Sequence, residues 1–245
     1  MALIEEFDKT GNWLFRNRTY LPLVLYIFAT LVIVLDKTPS FSHLDPVAIG
    51  CCLAVTFLGL VIRSVAIGYV PRLTSGRNTK KQVADVLNTE GIYSIVRHPL
   101  YLGNFFMWMG IVLYIGSWWF SLVIALVFWI YYERIMFAEE FFLRNKFGAT
   151  YLNWAGNTPA FVPKFSQWSR PGMEFSFKNV LKREENGFFA AVLSFAYVDF
   201  LKNLILNNDL KLSLFWIIVT GVSLVIFLTV RFIRKKTTIL KVQGR

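Results

Sequence analysis

Two cysteines and two histidines in 245 residues leave little room for disulfide or metal chemistry. Cys51 and Cys52 are adjacent in an apolar run, where neighbours rarely meet disulfide geometry, and they read as small packing residues. His43 and His98 stand apart with no second ligand at zinc spacing, so no metal site is expected. Among 15 glycines no two are spaced Gly-x-Gly, which excludes the phosphate turn of a Rossmann domain. No Ser-His-Asp order is readable, and one usable histidine gives general acid–base catalysis few candidates. The stretch from Met1 to Lys9 carries Glu5, Glu6 and Asp8 where a signal peptide would be basic, so no cleavable leader is expected. The last residues offer no prenylation box. Internal repeats and low-complexity linkers are absent. Charge is scarce too, at 17% of residues.

What is abundant is hydrocarbon. The chain is 56% apolar and 17% aromatic, with 24 phenylalanines and a mean hydropathy of +0.50. Such a composition predicts an all-α, polytopic membrane helix bundle of about five or six spans without a Rossmann domain. Apolar runs lie at 20–35, 46–70, 100–116, 117–132, 187–206 and 213–233. The fifth is interrupted by Asp199 and Lys202, three residues apart and able to pair on one helical face; it spans, lies in the interface or re-enters. Three regions follow: 1–45, an N-terminal arm and first membrane helix; 46–163, a core; and 164–245, a surface connector (164–186) followed by C-terminal membrane helices.

The net charge of +11 is better explained by the positive-inside effect than by nucleic acid, which is not expected as a partner. Basic residues alternate between loops. They are dense in the N-terminal arm, at 71–99, at 133–186 and in the tail, and sparse at 36–45 and near 116. That alternation places both termini and the segments 71–99 and 133–163 in the cytoplasm.

Those two segments carry the groups that need a partner or a task beside hydrocarbon. Arg72, Arg77, Lys80 and Lys81 lie in a turn-rich loop suited to a phosphate or carboxylate at the membrane face, or to anionic lipid. Arg97 and His98 precede Pro99, so the chain is extended or turning there and the third span can start with proline in its first turn. An anionic ligand group is favoured beside such a helix start. Gly103, one turn in, permits close approach of a ligand or a helix. Further on, Glu139 and Glu140 sit on a helix, 133–147, that continues the fourth span. They project about 100° apart and so take separate roles. Glu140 has Arg144 at i+4 as a local ion-pair partner. Glu139 finds no cation on its own face and must seek one elsewhere, in a ligand or in Arg97.

The pattern Gly91-Ile92-Tyr93, Arg97-His98-Pro99-x-Tyr101-x-Gly103, Glu139-Glu140-x-x-Leu143, Phe147-Gly148-x-x-Tyr151 and Pro163 closely resembles the isoprenylcysteine carboxyl methyltransferase-like family, with its phospholipid methyltransferase relatives. The resemblance covers residues 50–163. It implies a membrane helix bundle that binds S-adenosylmethionine between the histidine-proline segment and the glutamate helix. By position, Tyr93, His98, Pro99, Leu100, Tyr101 and Glu139 are implied cofactor contacts. Asn88 joins them through the Asp85–Asn88 stretch, and Gly103 and Glu140 complete the candidate set. Where the prenylcysteine enzymes place a substrate arginine, this chain has Ile135 with Arg134 beside it; Ala160 and Trp154 also depart from the pattern. These departures argue against a prenylated protein substrate. The Thr74–Asn78 loop and the C-terminal helices are similar to a bacterial branch acting on lipid phosphates, including the 1-phosphate of lipid A, in the inner membrane. Methyl transfer to such an oxyanion requires alignment and exclusion of water rather than a base. Arg77 and Arg134 are the candidates for orienting the acceptor in catalysis, and Arg72, Arg77, Arg97 and Arg134 for binding it. An amine acceptor, with Glu133 taking its proton, a small thiol acceptor, and a non-catalytic transporter or adaptor are the alternatives.

Overall fold

A computed structural model describes residues 2–36, 45–71, 74 and 82–244. Among them the regular structure is helical, with one isolated bridge between Gly91 and Ser169. The helices are α1 (Leu3–Asn17), α2 (Leu21–Asp36), α3 (Pro46–Gly68), α4 (Ile92–Ile95), α5 (Pro99–Ile115), α6 (Trp118–Phe147), α7 (Ala149–Asn157), α8 (Phe177–Leu206) and α9 (Leu214–Lys236).

Four of these, α3, α6, α8 and α9, are long and apolar enough to cross a membrane, or five spans if α1 and α2, bent by 79°, count as one. Two of the expected six runs fall short by length. With 17 residues in α5 and 16 in α2, a rise of about 1.5 Å per residue gives less than the roughly 30 Å hydrocarbon core. The run at 187–206 is the later part of a 30-residue helix that begins at Phe177, so the expected connector 164–186 ends ten residues early. Ser176 caps that start by accepting from the Asn179 amide. The N-terminal arm is likewise a helix. Gly11 of α1 faces the Arg134 carbonyl and Ala138 of α6, where any side chain would collide.

The central contact is α3 against α5. A Cβ on Gly59 or Gly103 would strike the opposing helix, and Thr56 donates to the Met107 carbonyl at 3.3 Å. Small residues let helices approach where lipid supplies no hydrophobic drive. At its start α8 closes the end of α3: the Ser176 amide donates to Gly68 O and the buried Asn179 side chain to Ile67 O. Further along, Asp199 and Lys202 do not pair as expected. Lys202 donates to the Tyr114 carbonyl at 2.5 Å, and Asp199 accepts from the Tyr114 hydroxyl and the Ser213 amide. Both serve the end of α5 and the turn into α9, because orphan carbonyls there have no water to turn to. In α9 the chain runs back antiparallel. Phe195 stacks on Trp216 at 5.5 Å near one end, and Arg234 meets the buried Glu185 at 2.6 Å near the other. The basic end of α9 therefore lies beside the basic start of α8.

Candidate active site

Local sequence fixes the histidine-bearing bend. Pro99 opens α5 and leaves His98 non-helical at φ −119°, ψ 60°. The segment after α7 lies along it. Arg97 and His98 amides donate to Pro159 O and Ala160 O at 2.9 and 3.2 Å, and Lys164 donates to Ile95 O. Trp154 adds a bond from its indole to Tyr93 O at 3.1 Å. Gly148 makes that return possible. It joins α6 to α7 at φ 54°, ψ −125°, a backbone that side chains rarely tolerate.

On this frame the imidazole is held between both glutamates. His98 Nε2 lies 2.8 Å from Glu140 and Nδ1 3.7 Å from Glu139. Tyr101 donates to Glu139 at 2.6 Å, and Arg97 reaches Glu140 at 3.2 Å and donates to Ala155 O at 3.1 Å. The expected Glu140–Arg144 pair is thus replaced by Glu140 with Arg97 and His98. Both carboxylates, although they project about 100° apart, meet one imidazole. A ring has two nitrogens on opposite edges and accommodates both. Burial by itself would lower the His98 pKa, but the hydrogen bonds and charges of Glu139 and Glu140 outweigh it and raise it above the ordinary imidazole value.

The clamp forms one side of a cavity of about 660 Å³, within the roughly 300–1,000 Å³ of small-molecule sites. Of the sequence candidates, Asn88, Tyr93, Arg97, His98, Pro99, Leu100, Tyr101, Glu139 and Glu140 line it. Gly103 does not; its bareness accommodates Arg63 and Gly59 of α3. Arg134 is directed away, its guanidinium 3.5 Å from the Phe7 ring of α1, and Glu133 is exposed. Arg72 and Arg77 lie outside the described residues. Ile135 is fully buried among Phe15, Tyr101, Phe128 and Tyr132.

Sequence reasoning missed the far wall. Arg63 donates from Nε and a terminal nitrogen to both oxygens of Glu184, each at 2.7 Å, and from its other nitrogen to Asn104 at 2.6 Å. Asn104 in turn donates to Tyr132 at 2.9 Å. Arg63 was visible as a lone cation inside an apolar run, but its partner lay in the supposed connector. Phe15 of α1 and Arg18 just after it also reach the cavity.

An S-adenosylmethionine fits the residues present. The carboxylates suit a cationic donor, Tyr93, Tyr101, Tyr132 and Trp154 offer aromatic faces, and the Tyr151 hydroxyl lies beside Glu140. Burial raises the pKa of that hydroxyl, so it stays a donor or acceptor rather than a phenolate. No group of three His, Cys, Asp or Glu among the described residues is placed to hold a metal ion.

Comparison with known proteins gives the family. The pattern of the phospholipid methyltransferase family matches residues 47–150, from α3 into α7. The protein-S-isoprenylcysteine O-methyltransferase of Schizosaccharomyces pombe is 33% identical over 108 residues, 43% of this chain and 45% of that protein. Form B of the Arabidopsis thaliana enzyme is 33% identical over 119 residues, 45% of this chain and 57% of that protein. The cobalt-zinc-cadmium resistance protein CzcN of Cupriavidus metallidurans is 31% identical over 157 residues, 63% of this chain and 68% of that protein. The chain spans about half the length of the two isoprenylcysteine relatives. No solved structure matches it.

Proposed function

This chain belongs to the phospholipid methyltransferase and isoprenylcysteine carboxyl methyltransferase-like family, and from that premise we propose that it transfers a methyl group from S-adenosylmethionine to a membrane lipid at the cytoplasmic face. The observation that carries the reading is convergence. Two motifs about forty residues apart close on one cavity through the His98–Glu139–Glu140 clamp.

When bound, S-adenosylmethionine supplies a methyl on a positively charged sulfur, already primed to leave. The chain's residues then bind, orient and exclude water. Glu139, with 27% of its side chain exposed and its other side held by Tyr101 and His98, offers the cavity a fixed negative charge. Arg97 and His98 offset the neighbouring Glu140, so one carboxylate is neutralised within the protein and the other remains for a ligand cation. Tyr93, Leu100 and Trp154 wall the site against water.

For the acceptor we propose an anionic lipid oxygen, a lipid phosphate such as the 1-phosphate of lipid A. An oxyanion needs no general base, and the clamp's one histidine is already committed to two carboxylates. Glu133, the base that an amine acceptor would call on, is exposed and outside the cavity lining. Incubating the purified protein with radiolabelled methyl donor and total bacterial membrane lipids tests the reading. Label in a phosphate monomethyl ester is expected. Label in an amine or thiol product would redirect the acceptor, and no lipid labelling despite donor binding would refute lipid methylation.

A further inference from the structure

The strap that follows α7, residues 159–170, is tied to the clamp through its backbone. Pro159 O and Ala160 O accept from the Arg97 and His98 amides, the Lys164 amide donates to Ile95 O, and Ser169 O accepts from the Gly91 amide at 3.2 Å. The Ser169 amide donates to Ser94 Oγ at 2.9 Å. Its large apolar side chains, by contrast, are left open. Val162 and Phe165 are each 75% exposed and Trp168 51%. Phe165 begins a 3₁₀ turn that Trp168 ends. Side chains three apart in such a turn eclipse, so the two rings share one side.

Three observations say what covers this surface. It adjoins the bilayer-facing side of α6: Phe161 packs edge-on against Trp129 at 5.4 Å, and Leu126, Trp129 and Ile130 are exposed on a helix long and apolar enough to cross a membrane. Its charge has one sign. No acidic residue lies between Glu140 and Glu174, while Lys164 and Arg170 stand exposed within the strap. Finally, aromatic rings interleaved with cations suit the headgroup boundary, where apolar ring bodies are welcome and basic groups meet lipid phosphates.

We propose that the strap is a membrane-seating surface. Val162, Phe165 and Trp168 enter the boundary between headgroups and acyl chains of an anionic leaflet, and Lys164 and Arg170 bind its phosphates. A lipid surface fits better than a protein partner because the exposed patch adjoins side chains of α6 that already face lipid. The strap's own carbonyls hold the Arg97 and His98 amides, so the seat fixes the clamp at headgroup depth, where a lipid acceptor presents its polar end. The seat stands independently of the methyltransferase reading; this last consequence rests on it.

The test uses the full chain with Cys51→Ala/Cys52→Ala, spin-labelled at Phe165→Cys or, separately, at Val162→Cys. The proteins are placed in nanodiscs of phosphatidylcholine alone or mixed with phosphatidylglycerol. Labels at Ile130→Cys on α6 and at Lys211→Cys, before α9, give the lipid and water references. In the mixed discs the collision rate with oxygen, relative to a water-soluble nickel chelate, is expected to be about threefold or more higher at the strap than at the water reference. That ratio should fall in phosphatidylcholine alone and in Lys164→Gln/Arg170→Gln protein. Water values at both strap positions would overturn the seat, and an equal ratio in the two lipids would overturn its anionic partner. Spin–spin broadening between copies in place of lipid contact would assign the patch to a second chain and overturn the proposal as well. Lipid methylation that persists with water values at the strap would refute the seat and leave the methyltransferase reading intact, whereas lipid contact without methylation would do the reverse.

Discussion

Glu184 is the residue whose removal the structure prices most directly. Its side chain is 7% exposed, and both oxygens accept from Arg63, itself 19% exposed, at 2.7 Å. Replacing Glu184 by Leu leaves a guanidinium sheltered in the bundle with Asn104 as its one remaining partner of those described. Breaking a buried ion pair from one side costs about 3–5 kcal/mol. The residual exposure of Arg63 lets water relieve part of this, so a loss near 3 kcal/mol is expected, about a hundredfold in the folding equilibrium. Arg63→Met should cost a similar amount, since it strands the more deeply buried partner. The double change Arg63→Met/Glu184→Leu removes both charges and fills the space with hydrocarbon, which is often neutral or better. It should lie within about 1 kcal/mol of wild type, a coupling of several kcal/mol across the cycle. Equilibrium unfolding in mixed detergent micelles reads all four proteins. If the double variant loses the sum of the single losses, the pair is not an isolated buried bridge and the reasoning fails.

The clamp gives a prediction about pH. A folded-state pKa of His98 above its unfolded value means that the charged imidazole stabilises the protein. This contribution is complete below about pH 6.5 and disappears as pH rises through the folded pKa. In His43→Gln protein, which retains a single histidine, the His98 resonance should titrate with a midpoint above 6.5, and Glu140→Gln should lower it; a wild-type midpoint below 6.5 would contradict the clamp. Glu139→Gln should weaken S-adenosylmethionine binding roughly tenfold or more, the worth of a charge-assisted contact, and calorimetry showing wild-type affinity would remove it from the donor site. Gly59→Val should destabilise by about 1–3 kcal/mol or more, because its side chain meets the Gly103 backbone, whereas Gly156→Ala has nothing within 4 Å and should be neutral in the same unfolding assay.

The sequence by itself determined the membrane class, the start of α5 at Pro99, the extension of α6 into the polar region, and the residue types of the clamp. These follow from local rules. Apolar run length, proline stereochemistry and the cost of ions beside hydrocarbon act within a few residues of chain. Tertiary structure alone decided which groups meet. Glu140 ignores Arg144 four residues away for His98 and Arg97 in the bend before α5. Gly103 serves α3 rather than a ligand, and Arg134 turns to α1. Arg63 finds Glu184 across 121 residues. Charge shows in sequence as a demand for a partner, but the partner is set by how helices pack, and the close α3–α5 contact and the return of α8 are properties of the whole bundle.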